Sequence, residues 1–536
     1  MSTTTSLPTA AVAGRPFNRP FLPIIDDAFR EYAGHEFLWF AGTGYTYAMV
    51  DKLSSQIANR LLAQGFGPAM NGAVYSLNSA LSFIATLGIL RAGGTWIPIN
   101  PRNSAVDNVH ILEQFDCAAV FFQNAFAEPV EEFARASQAI CFVCLDDTST
   151  RHAEITSWCA PASTIKPNIA QAPQDLISIP LTGGTTGLPK GVMLSNRNFC
   201  ALEYATRHMY DGHQPTLLCA APMTHVSGRI ALAGMSSGVR CIILEQADPQ
   251  LILTAIEAHR VTDFFLPPTG IYALLDQANV KNIDYSSLYS IFYGSAPMFT
   301  ERLKTALRTF GPVMRGGYGQ TESPMFISGL HPNDHFVNGN IHGEIAPDTR
   351  LRSVGRSTVI STVTILDDKH NELPAGEIGE IAVKGPLVSE GYYQQPEETA
   401  KIRVNGWHLT GDIGYLDEEA YLYIVDRKKD MIISGGFNVY SSEVEQTLLK
   451  IKDIQLAAVI GVPDEKWGEA VAAFIQLAPN SKLTAAAIIA AAKKAIGSVK
   501  APKQVTIVSD LPRTAVGKID KKPLRQSAWA EVDRQI

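Results

Sequence analysis

The sequence predicts an α/β fold: a large N-terminal part of stacked α/β sheets with a β subdomain, followed by a small α+β C-terminal part. Three observations predict it. Short β-branched runs alternate with helix-spaced stretches over most of the chain, the pattern of largely parallel sheets. From about Ser357 the helices give way to short strands separated by Gly, Pro and Asn turns. After Asp430 strand and helix patterns mix again in a compact segment.

Taken in order, residues 47–62 and 79–91 have the spacing of amphipathic helices, the second turning through Ala92-Gly-Gly into a strand. Strands are expected at 176–181, 216–221, 240–244, 263–266 and 290–293, with helices at 249–260 and 300–310 between them. The β subdomain should hold strands at 359–367, 377–384 and 421–426. The last part reads as a helix at 442–449, strands at 457–462 and 471–477, an Ala-rich helix at 484–496 and a strand at 504–508. A boundary near Lys429 gives an N-terminal domain of 1–428 and a C-terminal domain of 429–536. At 536 residues the chain is too long for one hydrophobic core, so several units are expected.

Composition narrows the function classes. Hydrophobic residues make up 46% and charged residues 18%, the values of an ordinary soluble globular protein. The net charge of -7 argues against nucleic acid as a partner, because binding a phosphate backbone needs a basic surface. The basic runs at 427–429 and 518–525 lie beside acids and read as solvated faces. The seven cysteines all fall between Cys117 and Cys241. Cys141-Phe-Val-Cys144 has a metal-site spacing, but it sits in an apolar run with no second pair or His cluster, so it reads as a buried strand in a reducing cytosol. The first 20 residues read as a loose arm, with an organelle transit segment as the alternative. No apolar run reaches the roughly 18 residues of a membrane span.

The strongest chemical signal is Leu181-Thr-Gly-Gly-Thr-Thr-Gly-Leu-Pro-Lys-Gly191. It leaves an apolar strand for a polar, glycine-dense turn. Gly183, Gly184 and Gly187 can bring backbone N–H groups close to an anion. Thr182, Thr185 and Thr186 can donate to phosphate oxygens, and Lys190 adds a point charge. A Walker-type loop needs Gly-Lys followed at once by Ser or Thr; here Pro precedes Lys190 and Gly follows it, so that reading fails.

Further motifs recur in order: Ala221-Pro-Met-Thr-His225, Tyr293-Gly-Ser-Ala-Pro297, Gly317-Tyr-Gly-Gln-Thr-Glu322, Ser353-Val-Gly-Arg356 and Gly376-Glu-Ile-Gly-Glu380. After them come Gly391-Tyr-Tyr393, Leu409-Thr-Gly-Asp412, Asp426-Arg-Lys-Lys-Asp430, Ser434-Gly-Gly-Phe-Asn-Val-Tyr440 and Leu511-Pro-Arg-Thr-Ala-Val-Gly-Lys-Ile519. With the Gly/Thr loop, this series resembles the adenylate-forming enzymes: acyl- and aryl-CoA synthetases, peptide-synthetase adenylation domains and beetle luciferases. The likeness runs from about Tyr47 to Arg525, and the acyl-CoA synthetases are the branch it fits best.

The resemblance implies ATP, Mg²⁺ and coenzyme A as the small molecules used. It implies that Glu322 and Thr185 hold Mg²⁺ near the triphosphate, a role suited to hard oxygen donors. Asp412 would accept from the ribose hydroxyls, and Arg427 would reach the ribose or phosphate. Tyr318 and the Gly294-Ser295-Ala296 backbone would form the adenine slot, with Gly319, Gln320 and Thr321 beside it. Lys518 would neutralise the charge that develops where carboxylate meets α-phosphate. The C-terminal domain would be mobile, swinging about a hinge at Lys429. The Ser434-Gly435-Gly436-Phe437 turn would line the passage for the coenzyme A thiol arm.

By the same likeness the acyl pocket is lined by His225, Val226, Ser227 and Gly228, by Tyr293 and Gly317, and by Ser323, Pro324 and Met325. His225 would be a gate and share in catalysis with Lys518, Thr185 and Glu322. No acid stands where peptide-synthetase domains bind an α-amino group, so an α-amino acid is disfavoured; Val226, Tyr293 and Met325 would make an apolar slot, and an aromatic or medium- to long-chain acid is expected. Arg229 is the one charged residue near this wall. It could pair with a second carboxylate of the substrate or face solvent, and solvent is the expectation. Two departures stand out: Gly183 where many relatives carry Ser, and Ser441 where a proline is common. The overall expectation is an AMP-forming carboxylate–CoA ligase in the cytoplasm, with no nucleic-acid partner and a homodimer allowed. Delivery to a carrier protein and a luciferase-like oxidase are the alternatives.

Overall fold

The computed structural model describes residues 17–147, 151–182, 189–513 and 519–529. Gly183, Gly184, Thr185, Thr186, Gly187 and Lys518 therefore lie outside the described residues. The chain forms two compact units. One comprises the described residues through Val363 together with Val383–His408; the other comprises Thr364–Ala382 together with Leu409 onward. These limits differ from the expected boundary at Lys429, because residues 364–382 and 409–428 fall in the C-terminal unit.

The first unit holds two sheets of nine strands each among the described residues. In one, Glu36–Phe40, Arg240–Ile243, Thr216–Cys219, Asp263–Leu266, Ser290–Gly294 and Met314–Gln320 lie side by side and parallel. Antiparallel strands close both edges: Thr43–Thr46 at one, Ser323–Leu330 and Arg356–Ser357 at the other. In the second sheet Leu176–Ser178, Thr95–Ile99, Asn71–Tyr75, Cys117–Phe122, Cys141–Cys144 and Ala153–Glu154 run parallel. Lys190–Ser195 joins its edge antiparallel. Continuous apolar strands are what a sheet covered on both faces requires.

The helices start where their capping residues stand. Thr46 Oγ1 accepts from the Met49 N–H at 3.2 Å, and Asp248 Oδ1 from the Leu251 N–H at 2.9 Å. Ser79 and Ser82 form a reciprocal capping box at the head of Ala80–Arg91. That helix is not amphipathic as expected. Every residue in it except Leu81 is buried, including Ser82, Thr86 and Arg91. A helix apolar on all sides belongs in the interior. Arg91 tolerates the position because it reaches Asp26 at 3.1 Å and Asp51 at 2.6 Å and lies 4.6 Å from the Phe29 ring centroid.

The C-terminal unit has its own sheet, in the order Phe437–Val439, Ile432–Ser434, Gly468–Leu477, Ile454–Asp464, with Gln504–Val508 parallel to Gly468–Leu477. Ser441–Leu448 and Ala485–Lys500 pack on it through Val444, Leu448, Ile488 and Ala492. All seven cysteines are buried and free. Burial raises the Cys141 thiol to about 12, which fits a structural strand rather than a redox pair. Among the described residues, no helix is long and apolar enough to cross a membrane.

Candidate active site

The Gly/Thr loop is set on a paired stem. Leu181 and Thr182 pair antiparallel with Gly191 and Lys190, so the strands on either side of residues 183–188 form a ladder. Gly191 is required there: a Cβ would sit 2.4 Å from the Phe115 ring. The same strand continues as Lys190–Ser195 and receives Gly391–Tyr392 on its other side, with Val192 opposite Tyr392. This second pairing brings residue 392, two hundred positions away, next to Lys190.

Tyr392 joins two of the expected nucleotide residues. Its hydroxyl donates to Glu322 Oε1 at 2.7 Å, and Lys190 Nζ lies 5.0 Å from its ring centroid. Lys190 also pairs with Glu398 at 2.5 Å, which holds the Glu398 carboxyl down at about 2. Glu322 sits in the two-residue turn between Gln320 and Ser323, which pair across the strands Met314–Gln320 and Ser323–Leu330. It is 7% exposed. Desolvation, and next the Glu322 charge, push the Tyr392 phenol well up, so it stays protonated as a donor. Tyr392 and Glu398 carried no signal in the sequence beyond the Gly-Tyr-Tyr motif.

The expected adenine and acyl residues converge at the ends of two parallel strands, where Tyr293 pairs with Gly316 and Gly294 with Gly317. Three glycines allow this approach. A Cβ on Gly294 would lie 2.5 Å from the Gly317 carbonyl, one on Gly317 2.4 Å from Phe292, and one on Gly319 2.4 Å from the Met325 nitrogen. Ser295 and Met325 take positive φ, +68° and +64°, conformations that side chains adopt at a cost and that cluster at functional sites. Tyr318 and Tyr293 are buried. Tyr293 is anchored by a 2.9 Å bond to His335 Nε2. Burial lowers His335 to about 4, so the ring is neutral.

His225 caps the helix Val226–Gly234, with Thr224 Oγ1 3.0 Å from its Nδ1. Gly228 follows because a Cβ there would collide with the Met223 carbonyl at 2.0 Å. The loop before the cap is held by Asn78, which sequence reasoning missed. Its Oδ1 accepts from the Met223 N–H at 2.8 Å, and its Nδ2 donates to the Ala221 and Leu244 carbonyls at 3.1 and 3.0 Å. Arg229 corrects an expectation. It does not face solvent but is 5% exposed, inside a helix buried along nearly its whole length.

The C-terminal unit carries a second group. Asp412 and Arg427 are opposite one another on the hairpin Trp407–Leu416 and Leu422–Arg427, with Arg427 Nε 3.5 Å from Asp412 Oδ1. Glu380 fixes the preceding turn, accepting from the Gly411 N–H at 3.1 Å and from Lys428 Nζ at 2.8 Å. Burial and the neighbouring Arg427 charge lower the pKa of Lys429. Gly435 and Gly436 form the two-residue turn of the hairpin Ile432–Ser434 and Phe437–Val439, with φ of +58° and +81°. Ser434 is buried while Phe437 is exposed. Arg513 pairs with Ile519 across residues 514–518. At Ser441 the departure from proline is used: its backbone N–H donates to Asp426 Oδ2, a bond that proline has no hydrogen to make. Lys521 ties this corner together, reaching Ser441 Oγ at 2.8 Å and Glu445 at 2.6 Å.

A buried carboxylate at a strand turn, a lysine on the stem of a Gly/Thr loop and glycine-lined strand ends define a nucleotide-handling α/β enzyme. The chain belongs to the AMP-binding enzyme family. The family model for AMP-binding enzymes matches residues 25–393, and that for their C-terminal domain matches 443–518. Among curated proteins it is similar to the medium/long-chain-fatty-acid–CoA ligase FadD8 of Mycobacterium tuberculosis, 32% identical over 95% of this chain and 90% of the other. It is also similar to feruloyl-CoA synthase from an Amycolatopsis species, 30% identical over 90% of this chain and 94% of that one. Among solved structures, ATP-bound MatB from Rhodopseudomonas palustris superposes with a TM-score of 0.85 at 26% identity, covering 95% of this chain and 99% of that one.

Proposed function

We propose that this chain is an ATP-dependent acyl-CoA synthetase. In the first half-reaction the acid's carboxylate oxygen forms a bond to the α-phosphorus of ATP and the bond to pyrophosphate breaks. In the second, the coenzyme A thiolate attacks the acyl carbonyl and AMP leaves. The observation that carries the reading is the Tyr392 bridge, which ties the buried Glu322 carboxylate to the lysine on the stem of the Thr182–Gly191 loop. Chain-length coverage of CoA ligases at 32% and 30% identity supports the acceptor. A carrier-protein acceptor is the second reading.

Mg²⁺ fits this site. The Glu322 carboxylate accepts one hydrogen bond among the described residues, and a carboxylate has about four lone-pair positions. No group of three or more His, Cys, Asp or Glu side chains gathers among the described residues, at Glu322 or elsewhere, so phosphate oxygens would supply the remaining ligands. When bound, the ion would offset charge on the departing pyrophosphate. Glu322 would hold the ion, kept in orientation by Tyr392, and Asp412 would accept from the ribose hydroxyls. Lys518 spreads the charge that builds where two anions meet, with Thr185 and Lys190 at the phosphates. Ser434 to Phe437 guide the thiol arm. The domains 1–428 and 429–536, hinged at Lys429, serve the two half-reactions in turn. Cytoplasmic location and a homodimeric assembly go with this reading, and light scattering tests the second.

The acid is aromatic or medium- to long-chain. A panel of such acids should support exchange of labelled pyrophosphate into ATP, and then CoA-thioester formation. Lys518→Ala should abolish exchange yet still make thioester from preformed acyl-adenylate. Exchange that survives in Lys518→Ala would overturn the assignment.

A further inference from the structure

Two arginines are buried among the described residues, Arg91 at 3% and Arg229 at 5% exposure, and they are treated in opposite ways. Arg91 has two carboxylates, two serine hydroxyls and an aromatic face. Arg229 has no ion pair and no hydrogen bond among the described residues; its Nε is enclosed without a partner, as that of Arg91 is, but Arg229 has no other nitrogen that is paired. Its guanidinium is depressed to about 10 by burial alone; no acid stands close enough to oppose the shift. The loop residues 183–188 carry no acid either. A buried, uncompensated cation is among the costliest features a folded chain can keep.

Its position says what it is kept for. Arg229 lies on the helix Val226–Gly234, one turn from the cap residue His225 and three residues after Val226. Positions three and four apart share one face of an α-helix, so Arg229 is on the face that carries Val226 and the cap residue. Backbone N–H groups that lack intrahelical partners stand at that end and add positive potential. Two sources of positive charge thus meet beside the wall assigned above to the acyl group.

We propose that Arg229 is a specificity-determining residue that binds a second anionic group on the acid, a carboxylate at the far end from the one activated. The inference rests on the ligase reading and names its substrate class: an acid with an apolar body and a distal carboxylate. Arg suits the task, because its planar fork pairs with both carboxylate oxygens at once.

The test is a length series of α,ω-dicarboxylic acids and their monocarboxylic counterparts, with aromatic mono- and diacids, in pyrophosphate exchange. Wild-type, Arg229→Met and Arg229→Lys enzymes are compared. In the wild type the best diacid should exceed the matched monoacid in kcat/KM by about tenfold to a hundredfold, the range for a hydrogen bond to a charged group. Arg229→Met should raise KM for the diacid by that factor and leave or improve the monoacid, while Arg229→Lys retains part of the preference. A readout apart from turnover is thermal unfolding. Arg229→Met, freed of an unpaired buried charge, should melt higher without ligand, and the diacid should lift the melting temperature only in the wild type. If wild type uses monoacids as well as matched diacids, and Arg229→Met changes neither constant, the inference is wrong. If no acid supports exchange in the wild type, the ligase reading falls and takes this inference with it.

Discussion

Replacing Tyr392 with Phe removes one oxygen and nothing else that the structure uses. The ring stays, and with it the packing and the 5.0 Å approach of Lys190. What goes is a 2.7 Å bond to a carboxylate that is 7% exposed. A hydrogen bond to a charged acceptor contributes about 1.5–3 kcal/mol, and at this burial water cannot replace the donor without rearrangement. If Glu322 must be held in one orientation for adenylation, most of that energy is lost from the transition state. The fall in kcat/KM is then about tenfold to a hundredfold. The assay is pyrophosphate exchange without coenzyme A, titrated with Mg²⁺. The half-saturating Mg²⁺ concentration should rise together with the loss in rate, since the carboxylate is still present but no longer aimed. Tyr393→Phe, whose ring packs on Phe115, is the neighbouring control and should behave as wild type. Exchange unchanged by Tyr392→Phe at every Mg²⁺ concentration would show that the bond positions nothing.

Two further outcomes follow from buried groups. His335 is held neutral, its pKa about 4 in the folded chain against 6.5 unfolded, so the unfolded chain takes up a proton first as pH falls. Its contribution is whole above pH 6.5 and drains away between 6.5 and 4, costing about 2 kcal/mol by pH 5; thermal unfolding across that range should show His335→Gln with a flatter slope, and parallel slopes would refute it. Ser441→Pro should destabilise the C-terminal unit by about 1–3 kcal/mol, because Asp426 is buried and loses a donor. Calorimetry should find the transition of that unit lowered, although proline itself suits the first position of a helix.

Much of the framework was legible in the sequence because it is written locally. The strand Asp263–Leu266, the helix Thr300–Phe310 and the strand Gln504–Val508 lie where their β-branched runs and helical spacing put them. The motif residues of the strand ends were legible for a related reason: Gly294, Gly317 and Gly319 answer to close approaches that only glycine permits. What escaped depends on partners far along the chain. Tyr392 and Glu322 are 70 residues apart, Lys190 and Glu398 208, and Asn78 and Met223 145. Nothing in a local window announces such pairs. The helix Ala80–Arg91 reads as amphipathic because Ser82, Thr86 and Arg91 are polar, yet each finds an internal partner. Arg229 was misjudged by the same rule in reverse, since arginine is assigned to the surface by default and this one is not.

The parallel pairing of Glu36–Phe40 with Arg240–Ile243 carries a consequence for how the molecule is made. The first strand leaves the ribosome about 200 residues before its partner, which at the usual rates of synthesis is a wait of about 10–40 s. Throughout that interval Phe37, Leu38 and Trp39 stand on a strand without that neighbour, and the interior helix Ala80–Arg91 has only part of its surroundings. Such a nascent chain offers itself to holding chaperones, and expression yield should respond to their supply more than to the stability of the finished fold.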